Sequence, residues 1–171
     1  MVKTLDRAML VRARQVAQSV PDPELPMLTL ADLGILRDVA VTGTRVVVSL
    51  TPTYSGCPAI AEIRAEVSSR LGAAGFADVE VRTVLSPPWT SDFVSPEGRR
   101  KLAEAGIAPP RSRPKPDGPV PLTLFARGPR VDCPVCGSAD TVRTAAFSGT
   151  ACKDLYRCRA CAEPFEHVKE I

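Results

Sequence analysis

The chain has 171 residues, room for one ordinary domain plus a small appendage. At 44% hydrophobic and 24% charged it reads as globular, and with 5% aromatics its core must be mostly aliphatic. The net charge of +3 gives no reason to expect non-specific nucleic-acid binding, and no run approaches the ~20 apolar residues of a membrane span.

Residues 1–20 mix Arg with apolar residues and hold no continuous hydrophobic run. They have some of the Arg-rich look of a presequence, but they lead directly into the fold and read as a helix rather than a secretory signal. The expected compartment is therefore the cytoplasm, with the six cysteines reduced. Apolar steps of three and four at Leu5, Met9, Ala13, Val16 and Val20 predict a helix over 4–20. The run Pro21-Asp22-Pro23-Glu24-Leu25-Pro26 stops it in a loop. Ile35–Val41 and Arg45–Leu50 flank Thr42-Gly43-Thr44, which predicts a hairpin. The loop Thr51–Cys57 then opens a helix with Pro58 in its first turn. Ile60, Ile63, Val67 and Leu71 form its apolar face, and Gly72–Gly75 end it. Val79–Val84 is a further strand, and Ser95-Pro96 opens a short helix that stops at Gly106. This order describes a small α+β domain.

Proline and cysteine divide the chain. Six prolines fall at 109, 110, 114, 116, 119 and 121, a density that neither helix interior nor sheet centre accepts. The expected organisation is a domain at 1–110, a stiff linker at 111–121 and a Cys-rich domain at 122–171. The latter holds Cys133-Pro134-Val135-Cys136-Gly137 and, after a gap of 21 residues, Cys158-Arg159-Ala160-Cys161. Paired C-x2-C lets two sulfurs face one ion, so Cys133, Cys136, Cys158 and Cys161 are expected to hold Zn2+ in a closed tetrahedral site. Iron or an Fe–S cluster is the alternative at the same ligands. Metal is preferred over free dithiols because so small a region needs a staple. Cys152 is left over, either a small buried residue or an extra thiol ligand. From Leu122 to Ile171 there are seven Lys and Arg against six Asp and Glu, too even a balance to attract phosphate.

In the first domain Cys57 precedes a helix N-terminus. Backbone amides and the helix dipole there are expected to lower its pKa and make it reactive. The competing reading is a small buried thiol filling a gap. Asp22 and Glu24 sit in a Pro-bracketed loop, either as ligands or partner contacts or simply as solvated acids. The chain has one histidine, His167, and it lies in the other domain, so a His-containing triad in the first domain is excluded. Nor is there an E-x-x-H di-iron motif or a G-x-G-x-x-G loop. Catalysis by the chain itself is not expected.

Asp22-Pro23-Glu24-Leu25-Pro26, Asp32-Leu33-Gly34-Ile35, Thr51-Pro52-Thr53 and Gly56-Cys57-Pro58 resemble the MIP18-like family, the domain shared with the SufT iron–sulfur assembly factors. The segments Pro88–Val94, Gly98-Arg99 and Gly106–Pro110, with the cysteine tail through Phe165, narrow the resemblance to the PaaD family. That family accompanies the phenylacetyl-CoA epoxidase of aerobic phenylacetate degradation. The resemblance implies a small α/β sandwich followed by a zinc-ribbon-like β domain. It also implies an accessory role, maturing or inserting an Fe–S or di-iron centre in a partner subunit. Cys57 would match the family's reactive cysteine, carrying iron or a cluster transiently, and Asp22 and Glu24 its acidic loop. The implied partners are the oxygenase and reductase components, with no nucleic acid and no membrane; a homodimer stays open. A non-catalytic structural subunit is the alternative. His167 falls where an aromatic is often seen, and its role is left open.

Overall fold

The computed structural model describes residues 2–54, 56–111 and 130–171, with side chains from residue 7 onward. The expected linker, apart from Arg111, and the first residues of the expected second domain lie outside them. The chain divides into two compact units, one running to Lys101 and including Ile171, the other spanning Leu102–Glu170.

The first unit follows the expected order closely. Helix α1 (Val2–Gln18) precedes β1 (Leu36–Thr42) and β2 (Arg45–Leu50), an antiparallel hairpin in which Thr42 faces Arg45. Helix α2 (Ala59–Ala73) crosses to β3 (Asp78–Thr83), which pairs parallel with β2. The sheet order is therefore β1-β2-β3. Alternation along β2 sends Val46, Val48 and Leu50 inward, all fully buried. Ala13, Ala17 and Val20 of the α1 region and Ile63, Val67 and Leu71 of α2 are buried with them, α1 packing on β1 and β2, α2 on β3, and the two helices on each other. Helix α3 (Pro96–Glu104) follows a 3-10 turn at Ser91–Phe93.

Asp32 ties the loop before β1 to α3. Its Oδ2 accepts from the Thr29 amide and hydroxyl at 3.0 Å each and from Lys101 Nζ at 2.8 Å. Its carbonyl accepts from the Ser95 amide at 2.8 Å. Two glycines permit this closeness. A Cβ on Gly98 would stand 2.9 Å from the Asp32 carbonyl oxygen, and one on Gly34, at φ +67°, 2.5 Å from the Phe93 Cβ. The Asp32-Leu33-Gly34 and Gly98 segments are thus architectural. Trp89 closes the same region, donating its indole N–H to the Leu33 carbonyl at 2.8 Å.

The second unit is a three-stranded antiparallel sheet, β4 (Thr141–Ala145), β5 (Lys153–Cys158) and β6 (Pro164–Val168), in that order. Ala108 adds a parallel bridge to His167, with Ala108 N–H on the Glu166 carbonyl at 2.8 Å and Val168 N–H on the Ala108 carbonyl at 3.1 Å. Proline composition put the end of the first domain at 110. The contacts put the division at Lys101, inside α3, because Ala108 is hydrogen-bonded into the second sheet. Among the described residues the core cluster of this unit is Ala108, Val131, Cys133, Tyr156, Cys158 and Phe165. Tyr156 stacks on Phe165, and His167 meets the Tyr156 ring edge-on.

Candidate functional site

The second unit gathers four thiols. The Sγ atoms of Cys133, Cys136, Cys158 and Cys161 all lie within 4.8 Å of one another. Cys133 and Cys161 are 3.8 Å apart, and Cys136 and Cys158 3.6 Å. A tetrahedron with Zn–S bonds of about 2.3 Å has sulfur–sulfur edges of about 3.8 Å. The donor set therefore fits a tetrahedral metal such as zinc on geometry as well as on chemistry.

Two matching turns build it. In the first, the Cys133 carbonyl accepts from Gly137 N–H and the Cys133 N–H donates to Ser138. In the second, Cys158 N–H donates to the Glu163 carbonyl. Each turn aims amides at sulfur: Ser138 at Cys136, Glu163 at Cys161, and Cys161 and Ala160 at Cys158. The amide of Cys161 leads in drawing Cys158 down to about 7, helped by that of Ala160 and the thiols of Cys136 and Cys161. The Glu163 amide favours a thiolate at Cys161, but burial and the crowding thiols of Cys136, Cys158 and Cys133 push it up to about 12. Four thiols this close cannot all ionise by themselves. A divalent cation at their centre supplies the charge that lets them.

Cys152 does not join them. It lies in the turn just before β5, at the end of the strand opposite Cys158, six residues away and about 20 Å along an extended strand. It is 9% exposed, with the Thr150 hydroxyl 3.1 Å from its sulfur. It corresponds to the buried-residue reading rather than to an extra ligand. His167 is 1% exposed and pairs through Nδ1 with Asp154 Oδ1 at 2.8 Å, so it belongs to the core of the sheet.

In the first unit the loop after α1 is folded back on itself rather than solvated. Pro21 bridges to Thr29, the Asp22 amide donates to the Leu28 carbonyl at 2.9 Å, and Leu25, Leu28 and Leu30 are buried. Asp22 is only 6% exposed. Its Oδ1 accepts from the Glu24 and Leu25 amides, both at 2.9 Å, and holds the turn that presents Glu24. Cys57 lies half-buried just before Pro58, the cap of α2, and its N–H donates to the Tyr54 carbonyl at 3.2 Å.

The amides of Ala59 and Ile60 do favour the Cys57 thiolate. Burial outweighs them, and the negative fields of Glu24 and Asp22 add to it, so the thiol is pushed up rather than down. The expected lowering considered only the helix end. Burial first, and then the acidic loop more than 30 residues earlier in sequence, reverse the sign. The three residues thus act on one another electrostatically. A field that resists a bare thiolate favours a cation bound to it.

The fold and these two sites define a two-part class of protein: an iron–sulfur-assembly-type α+β domain followed by a four-cysteine β-ribbon. Residues 12–83 match the family model described as "Iron-sulfur cluster assembly protein", and residues 117–169 match "PaaD zinc beta ribbon domain". The chain is 41% identical over 153 residues to an Escherichia coli protein named as a subunit of 1,2-phenylacetyl-CoA epoxidase, covering 89% of this chain and 87% of that one. It belongs to the PaaD family. It is also 38% identical over 78 residues to the "Fe-S protein maturation auxiliary factor SufT" of Staphylococcus aureus, covering 44% of this chain and 88% of that one. A crystal structure of a domain of unknown function, DUF59, from Bacillus anthracis superposes with a TM-score of 0.54 at 26% identity, over 58% of this chain and 96% of that one. Among the described residues no helix is long and apolar enough to cross a membrane.

Sequence reasoning missed three things here. Ala162 takes a positive φ of 65°, which no alanine advertises. Asp154 is the buried partner of the only histidine, too far away in sequence to be paired with it by eye. Thr51 is fully buried beside the Cys57 loop; its Thr-Pro-Thr context marked a loop but not an interior position.

Proposed function

We propose that this chain is an accessory maturation factor of the phenylacetyl-CoA epoxidase system, delivering iron or an Fe–S cluster to a partner subunit in phenylacetate catabolism. Cys57 is the thiol that takes the cargo, Glu24 stands beside it, and Asp22 fixes the loop that presents Glu24. The ribbon carries one structural Zn2+ on Cys133, Cys136, Cys158 and Cys161 and takes no part in transfer. Its partners are the oxygenase and reductase components.

The observation that carries this reading is the electrostatic grouping of Cys57 with Glu24 and Asp22 in a half-buried site. A thiol that keeps its proton at neutral pH is protected from stray oxidation. It yields that proton to a cation, which the two carboxylates welcome. A cargo site needs this combination: weak alone, occupied when a metal arrives, and open enough to release it. The likeness to SufT supports the same direction, since that protein's name assigns it to Fe–S protein maturation.

The test is iron and acid-labile sulfide content of the epoxidase components co-produced with Cys57→Ala under anaerobic conditions. Maturation requires reduced metal occupancy of a partner subunit with the complex still assembled. Full occupancy with Cys57→Ala favours the structural-subunit reading instead.

A further inference from the structure

The sheet of the first unit ends at β3. Its order is β1-β2-β3, so among the described residues β3 has a neighbour on one side alone. The other side can be assigned residue by residue. The Val84 N–H donates to the Leu50 carbonyl of β2 at 2.8 Å, and the pairing runs from Arg45↔Asp78 to Leu50↔Thr83 without a register shift. In an extended strand the N–H and C=O of one residue point to the same side, and successive residues alternate. Glu80, Arg82 and Val84 therefore turn their backbone groups to β2, and Val79, Val81 and Thr83 turn theirs outward. Accordingly, the Val81 carbonyl accepts from the Arg64 guanidinium of α2 at 3.1 Å. The strand, Asp-Val-Glu-Val-Arg-Thr, holds no proline to block an incoming chain. Beside the edge lies a groove of about 460 Å3, walled by Ala61, Arg64, Ala65 and Ser68 of α2 and by Val79–Val81.

We infer that this edge pairs antiparallel with the β3 edge of a second copy of the chain, about a twofold axis at Val81, joining two three-stranded sheets into one of six strands. The charges along β3 select both that occupant and the register. Outward-facing residues must lie opposite outward-facing residues, because only they have backbone groups to exchange. Val79 opposite Val81 would set Glu80 against its own symmetry mate, and Val81 opposite Thr83 would do the same to Arg82. Larger shifts shorten the overlap. Val81 opposite Val81 instead sets Glu80 of each copy against Arg82 of the other, twice over. Opposite charges directly across two strands favour pairing, and like charges oppose it. Both pairs fall on the face away from Val81, where Arg82 Nη2 already donates to Glu80 Oε2 at 3.0 Å and Arg45 joins the same carboxylate. On the α2 side Ala61, Ala65 and Ser68 are small enough for the second α2 to approach. Arg64 is exposed and can turn aside from the Val81 carbonyl for the incoming amide. The inference concerns an edge that the proposed function does not use, and it stands apart from that reading.

The test is sedimentation equilibrium of the full chain. The expected result is a reversible monomer–dimer equilibrium with a Kd on the order of 100 µM, since one edge pairing is a small interface. Glu80→Arg and Arg82→Glu should each weaken self-association about tenfold, because each sets like charges opposite one another twice. An equimolar mixture of the two variants should associate to within about threefold of the wild type, because every cross-strand pair is again opposite in sign. Contacts inside each copy are the same in the mixture as alone, so the rescue isolates the contact between copies. Thr83→Pro removes an outward N–H that β2 does not use, and it too should weaken self-association about tenfold. Far-UV spectra establish that each variant is folded; if a charge variant is not, Thr83→Pro decides, and if Thr83→Pro is not, the mixture decides. A wild-type chain that stays monomeric to about tenfold above that Kd overturns the inference. So does a folded charge variant or Thr83→Pro that self-associates like the wild type, or a mixture of folded charge variants that fails to restore association.

Discussion

Ala162 occupies the position in the second cysteine turn that Gly137 occupies in the first. Each follows the second cysteine of its pair, and both are left-handed, at φ 65° and 71°. The turn needs that conformation so that the next amide, of Glu163 or Ser138, reaches the sulfur behind it. Glycine adopts it freely, whereas alanine is held there at a cost of about 1 kcal/mol. Gly137→Ala should therefore destabilise the metal-loaded ribbon by about 1 kcal/mol, and Ala162→Gly should be neutral to mildly stabilising. Thermal unfolding of the two variants side by side checks this. Equal destabilisation by both would remove the argument from backbone conformation.

Stripping the metal should unfold the second unit while the first stays folded. Among the described residues the ribbon's core cluster is six residues, two of them from the four-cysteine group. Chelation at neutral pH followed by far-UV and near-UV spectroscopy should show loss of the Tyr156 and Phe165 environment with Trp89 unchanged. Metal analysis should find one ion per chain. Cys158→Ser should abolish its retention, and Cys152→Ser should not, because Cys152 is bonded locally to Thr150.

Cys57 should alkylate slowly at pH 8. Its thiol is held up by burial and by Glu24 and Asp22. Glu24→Gln removes one of the opposing charges and should raise the rate at that pH several-fold, shifting the alkylation midpoint downward. Alkylation rate against pH in wild type and variant decides the point. A wild-type midpoint below the ordinary ~8.5 of a free thiol would contradict the geometry.

The Asp32–Lys101 pair gives an acid limit to the first unit. Burial opposes ionisation of Asp32, but Lys101 and the amide and hydroxyl of Thr29 outweigh it and hold its carboxyl below the usual range. A lowered folded-state pKa means stability that is fully present above the unfolded value of about 3.9 and is lost as pH falls through the folded value. Lys101→Met should therefore move the acid transition of this unit to higher pH, with little change in the fold at neutrality. Trp89 fluorescence during acid titration reads it.

His167→Ala should destabilise the second unit by about 2–3 kcal/mol. Asp154 is 2% exposed and, among the described residues, keeps Arg143 at 3.9 Å once the imidazole is gone. His167→Phe would fill the volume but take from the same carboxylate its imidazole partner at Oδ1. Double replacement with Asp154→Asn should recover part of the loss.

The elements of the first unit were legible in the sequence because each obeys a local rule. Period-two alternation marked β2, a three-four apolar stripe marked α2, and glycines marked the ends. The four cysteines were legible because two residues between the members of each pair is a local spacing that lets both sulfurs face one point. The Asp22 loop was not. Read alone, its carboxylates are solvated acids; Leu25, Leu28 and Leu30 bury the loop and turn Asp22 into a cap for its own backbone. Cys57 shows the same limit with a change of sign. The helix end, a local feature, argues for a lowered pKa, while burial and Glu24, both products of the chain folding back, raise it.

The sequence by itself determined the order of helices and strands, the four-cysteine cluster and the family, because these rest on spacing along the chain. Only the tertiary structure decided the direction in which the Cys57 thiol is pushed, the exclusion of Cys152 from the cluster, the place of His167 and the burial of the Thr51 hydroxyl. Each of these depends on what lies across space, and burial and electrostatic fields follow distance through the folded molecule, which sequence separation does not encode.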